Sequence, residues 1–304
     1  MKKQTGPRQN GAAPQGKRGA PNRAVRGAQP PRRVGVPAAG LHYNRSFLTR
    51  SDRDDIVAWL GSIRPIWENK FSKHNPPPAG DTQRRLLRPT YWLGNWQFAC
   101  LRYYMPPKGI ENRCVRAEPF PPVLRRLVDK IERTVRQMFR GDDLPPGWHF
   151  NTCLVNFYGN RIENGKPLDC ARVGEHKDLE PGPVASISLG ERALFQFVES
   201  RGHGAKSAVV VEQWLDDGSL QIFGGQRWKS DLFHRVQRVD GRGGENFPIA
   251  VEDFETRRIN FTFRYVPDEH IVPFRRLATA AREDVREYVE QLAEHSPFFA
   301  GELG

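Results

Sequence analysis

Arg258-Ile259-Asn260-Phe261-Thr262-Phe263-Arg264 is the stretch on which the fold turns. Its apolar residues recur every second position, so in an extended strand Ile259, Phe261 and Phe263 share one face while Arg258, Asn260, Thr262 and Arg264 share the other. One face belongs in a core, and the other is a row of hydrogen-bonding and cationic groups. An exposed edge strand could turn such a row to water, but the flanking sequence is apolar. Two arginines inside a β structure are costly without anions beside them. A dicarboxylate is the natural partner, because a guanidinium grips a carboxylate through two parallel bonds.

Outward from this strand, the second half of the chain has the texture of short strands separated by turn residues: 152 to 158, 184 to 189, 193 to 199, 207 to 214, 219 to 223, 232 to 238 and 257 to 265. Such spacing predicts an all-β sandwich or barrel rather than alternating strands and helices. Helices flank it, which makes the whole chain mainly β within an α+β class. One helix is expected from about Ser51, with Ser51 as cap, Asp54 three residues on, and Ile56, Val57, Leu60 and Ile63 on one face. A second starts at Pro121-Pro122, carries Leu124, Leu127, Val128, Ile131, Val135 and Met138 at helical spacing, and can end at Gly141. Between them, Tyr91 to Tyr104 predicts a β-hairpin bending near Gly94-Asn95, preceded by Arg84, Arg85 and Arg88. After Pro273 a last amphipathic helix runs through Leu277, Ala281, Val285, Tyr288, Val289 and Leu292. The expected organisation is therefore a tail over 1–40, N-terminal helices and an aromatic hairpin over 41–150, a β core over 151–274 and a C-terminal helix over 275–304.

The formal net charge of +12 invites a nucleic-acid partner, but its location matters more than its size. Of 47 basic residues, nine lie in 1–40, which has no Asp or Glu, and the remaining 38 face 35 acidic residues, a balance of +3. The tail is Gly, Pro, Ala, Gln and Arg with almost nothing apolar, a composition that predicts disorder. No apolar secretory core and no run of about 18 apolar residues occurs, so a soluble, intracellular protein that engages no membrane is expected, cytoplasmic or, in a eukaryote, nuclear; a monomer is expected as well. Cys100, Cys114, Cys153 and Cys170 form no C-x-x-C pair, and reduced, packed thiols are expected rather than a zinc module or disulfides.

His176-Lys177-Asp178 places an imidazole and a carboxylate at i and i+2, where extended backbone projects both to one side. His234 follows 56 positions after Asp178 on another predicted strand. Two histidines and one carboxylate that leave three positions open form the facial set of non-haem iron(II) oxygenases. The open positions let a chelating cosubstrate and dioxygen bind together.

In these motifs and their order the chain resembles the AlkB family of iron(II) and 2-oxoglutarate dependent oxygenases, over about 151–266. Asn156-Phe157-Tyr158 is similar to the family's N-x-Y, and His176-x-Asp178 with His234 to its iron ligands. Ser186-Ile187-Ser188-Leu189-Gly190, Phe195-Gln196-Phe197, Gly218 and Gly224-Gly225 resemble the intervening strand and turn signatures. Arg258-x-Asn260-x-Thr262-x-Arg264 matches the R-x-N-x-T-x-R strand. The resemblance implies a double-stranded β-helix, a jelly-roll barrel, with iron(II) as cofactor and 2-oxoglutarate and dioxygen as cosubstrates. It implies that Asn156, Tyr158, Arg258, Asn260 and Arg264 hold 2-oxoglutarate, with Arg258 on its distal carboxylate. Glu180, two residues past Asp178, matches an acidic side chain that contacts the amino edge of the target base, and Arg227 or Trp228 falls where the family touches its substrate strand. The implied activity is oxidative demethylation of alkylated DNA or RNA bases, with formaldehyde released; the alternatives are an oxygenase of the same fold acting on a protein side chain or small molecule, and a non-enzymatic nucleic-acid-binding jelly roll. The chain departs from the family in a 17-residue loop between Tyr158 and His176 and a Gly-rich insert at 241–244. The N-terminal region matches no lid motif of the family. The aromatic hairpin is still a candidate lid that could stack an extruded base, with Arg84, Arg85 and Arg88 reaching phosphates.

Overall fold

The computed structural model describes residues 39–101, 114–202, 207–239, 247, 249 and 251–304. Nearly all of the basic tail, Tyr103, Tyr104 and the Gly-rich insert lie outside them. In chain order the elements are β1 (Leu41–Asn44), α1 (Arg50–Leu60), β2 (Thr90–Leu93), β3 (Asn95–Trp96), β4 (Cys114–Arg116), α2 (Pro122–Met138), β5 (Thr152–Glu163), β6 (Lys166–Asp169), β7 (Val173–His176), β8 (Val184–Gly190), β9 (Ala193–Val198), β10 (Val209–Leu215), β11 (Leu220–Phe223), β12 (Phe233–Val239), β13 (Phe254–Arg264), β14 (Ile271–Val272), α3 (Thr279–Ala293) and α4 (Pro297–Leu303). All seven expected strands are present.

The major sheet runs β1-β11-β8-β13-β5-β2, with β6 on β5, and the minor sheet runs β10-β9-β12-β7. The architecture is an antiparallel jelly roll of two sheets, and among the described residues no ladder closes them into the expected barrel. The alternation along β13 sorts the side chains as its period demands. Ile259, Phe261 and Phe263 join the larger core with Ile187 and Ile222 of the same sheet, Ile56 and Leu60 of α1, Leu124, Leu127 and Ile131 of α2 and Val289 of α3. A second, smaller core holds Val184, Phe195, Phe197, Phe223 and Val236, and its three phenylalanines pack against His234.

Three local expectations need correction. The α1 cap is Thr49, whose side chain accepts from the Asp52 amide at 3.1 Å while Asp52 reaches back to the Thr49 amide at 3.2 Å. Ser51 and Asp54 have the same spacing but lie within the helix. Among the described residues the hairpin expected over 91–104 is not seen: β2 pairs with β5 in the major sheet and β3 with β4 in a small third sheet, β14-β4-β3, so the chain changes sheets at Gly94. Gly94 has φ +79°, and a Cβ there would lie 1.9 Å from the Asn151 carbonyl oxygen, which makes the crossing possible only for glycine. Tyr91, Trp92, Trp96 and Phe98 are buried in the larger core and offer no stacking face to a ligand. Beyond α2, the chain leaves the helix at Phe139, two residues before Gly141.

Glu68 anchors this aromatic cluster. Its carboxylate accepts from Ala99 N at 2.8 Å, Thr90 Oγ1 at 3.2 Å and Trp96 Nε1 at 3.2 Å. Burial pushes its pKa from 4.5 up to about 7 despite these bonds. Because the folded value lies above the unfolded one, the stabilising contribution of the protonated carboxyl is complete below about pH 4.5 and is lost as pH rises through 7. Thermal melts of the wild type between pH 5 and 8 should show that loss, about 2 kcal/mol in size, and Glu68→Gln should flatten it. Parallel pH profiles for the two proteins would assign the dependence to another group.

Candidate active site

Strand register brings the sequence motifs together. Across β13 and β5, Arg258 stands opposite Tyr158 and Asn260 opposite Asn156, and across β13 and β8, Asn260 stands opposite Ser188 and Thr262 opposite Ser186. Cross-strand partners share a face, so these residues form one polar wall on the inner side of the major sheet. Asn260 Nδ2 donates to Ser186 Oγ at 2.9 Å and to the Ile187 carbonyl at 3.1 Å, and Thr262 Oγ1 donates to Asn260 Oδ1 at 2.7 Å. In the minor sheet, β7 and β12 pair so that His176 stands directly opposite His234, with ring centroids 4.2 Å apart.

Asp178 lies just beyond β7 and completes the cluster: one ligand atom from each of His176, Asp178 and His234 falls within 4.8 Å of the others. His234 Nε2 lies 3.4 Å from Asp178 Oδ2. The other Asp178 oxygen, Oδ1, accepts from Arg264 Nε at 2.9 Å and Nη2 at 2.7 Å, which fixes the carboxylate. His176 Nδ1 donates to the Gly174 carbonyl at 2.8 Å, and this tautomer leaves Nε2 as the electron-pair donor. Burial, reinforced by the charge of His176, pushes His234 down to about 3, so its imidazole is neutral at physiological pH. Burial alone would raise the Asp178 carboxyl, but Arg264, His234 and Lys229 outweigh it and hold the group well below the usual carboxylate range. The Nε2 lone pair of His176, the neutral imidazole of His234 and one ionised, anchored carboxylate fit a divalent iron with open positions.

At the other end of the wall, six residues and about 20 Å of strand away, Arg258 is 1% exposed. Its Nη2 donates to Ser188 Oγ at 3.0 Å and its guanidinium lies over the Tyr158 ring, 4.8 Å from the centroid. Nε and Nη1 are buried without a hydrogen-bond partner, and burial pushes the guanidinium pKa down. An uncompensated buried cation with two N–H donors suits a carboxylate.

Glu180 is 6% exposed and lies 3.6 Å from Arg264, at the metal end rather than in solvent. Arg227 is exposed on a π-helical turn over 227–231, above the Trp228 ring. Trp228 itself is buried, donates Nε1 to the Ala39 carbonyl at 2.8 Å and packs on Phe197, so it is held as structure. Lys229, which no sequence motif marks, also belongs to the site: its Nζ is buried without a hydrogen-bond partner, within the electrostatic reach of Asp178 and Glu180. Its turn is tied to the metal segment because Lys177 Nζ donates to the Ser230 carbonyl. Nothing in the local pattern separates Lys229 from a surface lysine. Arg84 is exposed and paired with Asp81 at 2.8 Å, and Arg85 covers Trp67.

A jelly roll with this ligand set and a cation at the far end of a polar wall has the layout of a non-haem iron oxygenase. Residues 40–264 match the family model of the 2OG-Fe(II) oxygenase superfamily, and the chain belongs to that superfamily. It is thus a dioxygenase that works with iron(II), 2-oxoglutarate and dioxygen. Among solved structures, the chain is similar to OsALKBH1, at 23% identity over 75% of this chain and 99% of that one, with a TM-score of 0.46. It is also similar to a 2OG-Fe(II) oxygenase family oxidoreductase from Burkholderia pseudomallei, at 12% identity over 74% of this chain and 84% of that one, with a TM-score of 0.38. YcfD, a ribosomal oxygenase from Escherichia coli solved with cobalt and succinic acid, aligns at 10% identity over 87% of this chain and 66% of that one, with a TM-score of 0.29. No curated protein sequence matches the chain. No helix among the described residues is long and apolar enough to cross a membrane.

Proposed function

We propose that the protein oxidatively removes alkyl groups from the bases of DNA or RNA. Glu180 carries this reading: a carboxylate two residues past Asp178, buried at the metal end and 3.6 Å from Arg264, stands where a base's exocyclic amino group could be bound. The motif order from Asn156 to Arg264, which resembles the AlkB family, supports it. In this scheme His176, Asp178 and His234 hold iron, and Arg264 orients Asp178. Arg258, Tyr158, Asn156 and Asn260 bind 2-oxoglutarate, with Arg258 on the distal carboxylate. Iron, 2-oxoglutarate and dioxygen together supply the oxidation of a C–H bond, and on an N-methyl carbon the hydroxylated product loses formaldehyde. Phe195, Phe197 and Phe223, packed around His234, keep water from that side of the centre. Arg227, exposed on the turn that also carries Lys229, would meet a phosphate of the substrate strand.

Formaldehyde release from matched methylated DNA and RNA oligonucleotides tests the proposal. No release from either, alongside active 2-oxoglutarate turnover, would transfer the enzyme to a protein or small-molecule substrate. Glu180 gives a sharper test, since a residue that reads the base is not needed to activate dioxygen. Glu180→Ala should lower demethylation by about tenfold to a hundredfold while substrate-independent turnover of 2-oxoglutarate persists. Loss of both activities together would make Glu180 a support of Arg264 and the metal instead.

A further inference from the structure

Arg88 occupies a position that a phosphate contact does not explain. The chain beside it is bonded to β5, because Phe157 N donates to the Pro89 carbonyl at 3.3 Å. The Arg88 guanidinium lies over the Tyr158 ring, 4.6 Å from its centroid, and Arg258 lies over the same ring at 4.8 Å. Arg88 Nη2 donates to the carbonyl of Arg172 at 2.7 Å, the residue just ahead of β7, and its Nε is buried without a hydrogen-bond partner. One side chain therefore spans the lead into β2, the ring on β5 and the start of the strand that carries His176. Burial is the main reason the Arg258 guanidinium is less basic than usual, and the charge of Arg88 adds to the effect. Among the described residues no carboxylate forms an ion pair with either arginine. Two cations sharing one aromatic ring beside unused buried N–H donors repel each other until an anion arrives.

We propose that Arg88 is a positioning residue of the cosubstrate pocket: it holds Tyr158 against Arg258 and adds a second positive charge where the distal carboxylate of 2-oxoglutarate binds. The inference rests on the assignment of Arg258 to that carboxylate. It moves Arg88 from the nucleic-acid side of the enzyme to the cosubstrate side, so the segment ahead of the jelly roll helps to select the cosubstrate.

The test is equilibrium binding, under anaerobic conditions, to the iron(II)-loaded full-length protein. One ligand is 2-oxoglutarate and the other is 2-oxopentanoate, which has the same chain length and 2-oxo acid head but no distal carboxylate. Arg88→Gln keeps a donor for the Arg172 carbonyl and removes the charge. It should weaken 2-oxoglutarate by about 5- to 20-fold and leave 2-oxopentanoate within about twofold of wild type. Arg88→Lys, which restores the charge, should recover most of the 2-oxoglutarate affinity. Unchanged 2-oxoglutarate binding in Arg88→Gln, equal weakening of both ligands, or Arg88→Lys behaving like Arg88→Gln would each overturn the proposal. Arg258→Gln serves as the separate control: if it binds 2-oxoglutarate normally, the underlying assignment of Arg258 falls.

Discussion

Asp178→Ala should abolish the iron-dependent conversion of 2-oxoglutarate to succinate, a loss on the order of a thousandfold or more, while leaving the fold intact. The carboxylate has two jobs. Oδ2 faces His234 across 3.4 Å, and Oδ1 is held by Arg264. Removing it takes away a ligand and leaves the cation of Arg264 beside two imidazoles, which then repels a metal ion. His176→Ala and His234→Ala should be as severe, since two ligands of a facial set bind iron too weakly to retain it. Arg264→Met, which only releases the orientation of Asp178, should cost about 10- to 100-fold. Succinate formation measured with metal content for all four variants checks the ranking. Near wild-type turnover in any of the three ligand variants would refute the metal assignment.

Arg258→Ala should raise the apparent 2-oxoglutarate constant by about 30-fold or more, because a buried charge-assisted contact with a carboxylate contributes roughly 2 to 5 kcal/mol. Raising the cosubstrate concentration should recover part of the rate, which distinguishes loss of binding from loss of chemistry. Stability gives a second, opposite sign. Without 2-oxoglutarate, Arg258 is a 1% exposed cation with two N–H donors unused, and such a group costs free energy in the fold. The apo protein should therefore melt no lower as Arg258→Met than as wild type, whereas saturating 2-oxoglutarate should raise the melting temperature of the wild type far more than that of the variant. A variant that is unstable without ligand and binds 2-oxoglutarate normally would make Arg258 a structural residue.

Much of this site is legible in the sequence because β structure writes its facing into a period of two. Arg258 to Arg264 announces a wall, and Asn156-x-Tyr158 has the spacing that places both residues on the same wall once the strands pair. The metal set is legible for a similar reason, since His176 and Asp178 are separated by one residue and His234 sits in a strand of its own. What fails is the choice of partner. Gly94 marks a turn whether the chain folds back on itself or leaves one sheet for another, and only the tertiary structure decides that Thr90–Leu93 pairs with β5 and Asn95–Trp96 with β4. Thr49 and Ser51 each have an acidic residue three positions on, so local spacing cannot choose between them. Lys229 and Glu68 escape for a third reason: a single charged residue in a loop carries no periodicity, and its burial is set by chain segments far away in sequence.

The direct opposition of His176 and His234 ties the chemistry to one alignment of β7 and β12. A slip of one residue between these strands would send one imidazole to the far side of its sheet and leave a lone histidine beside Asp178. A misaligned copy of the chain cannot hold the metal, whereas a correctly paired one gains the binding free energy of the ion. Under the proposed metal assignment, iron binding would favour correctly paired chains, so the reactive centre would form only where β7 and β12 are aligned.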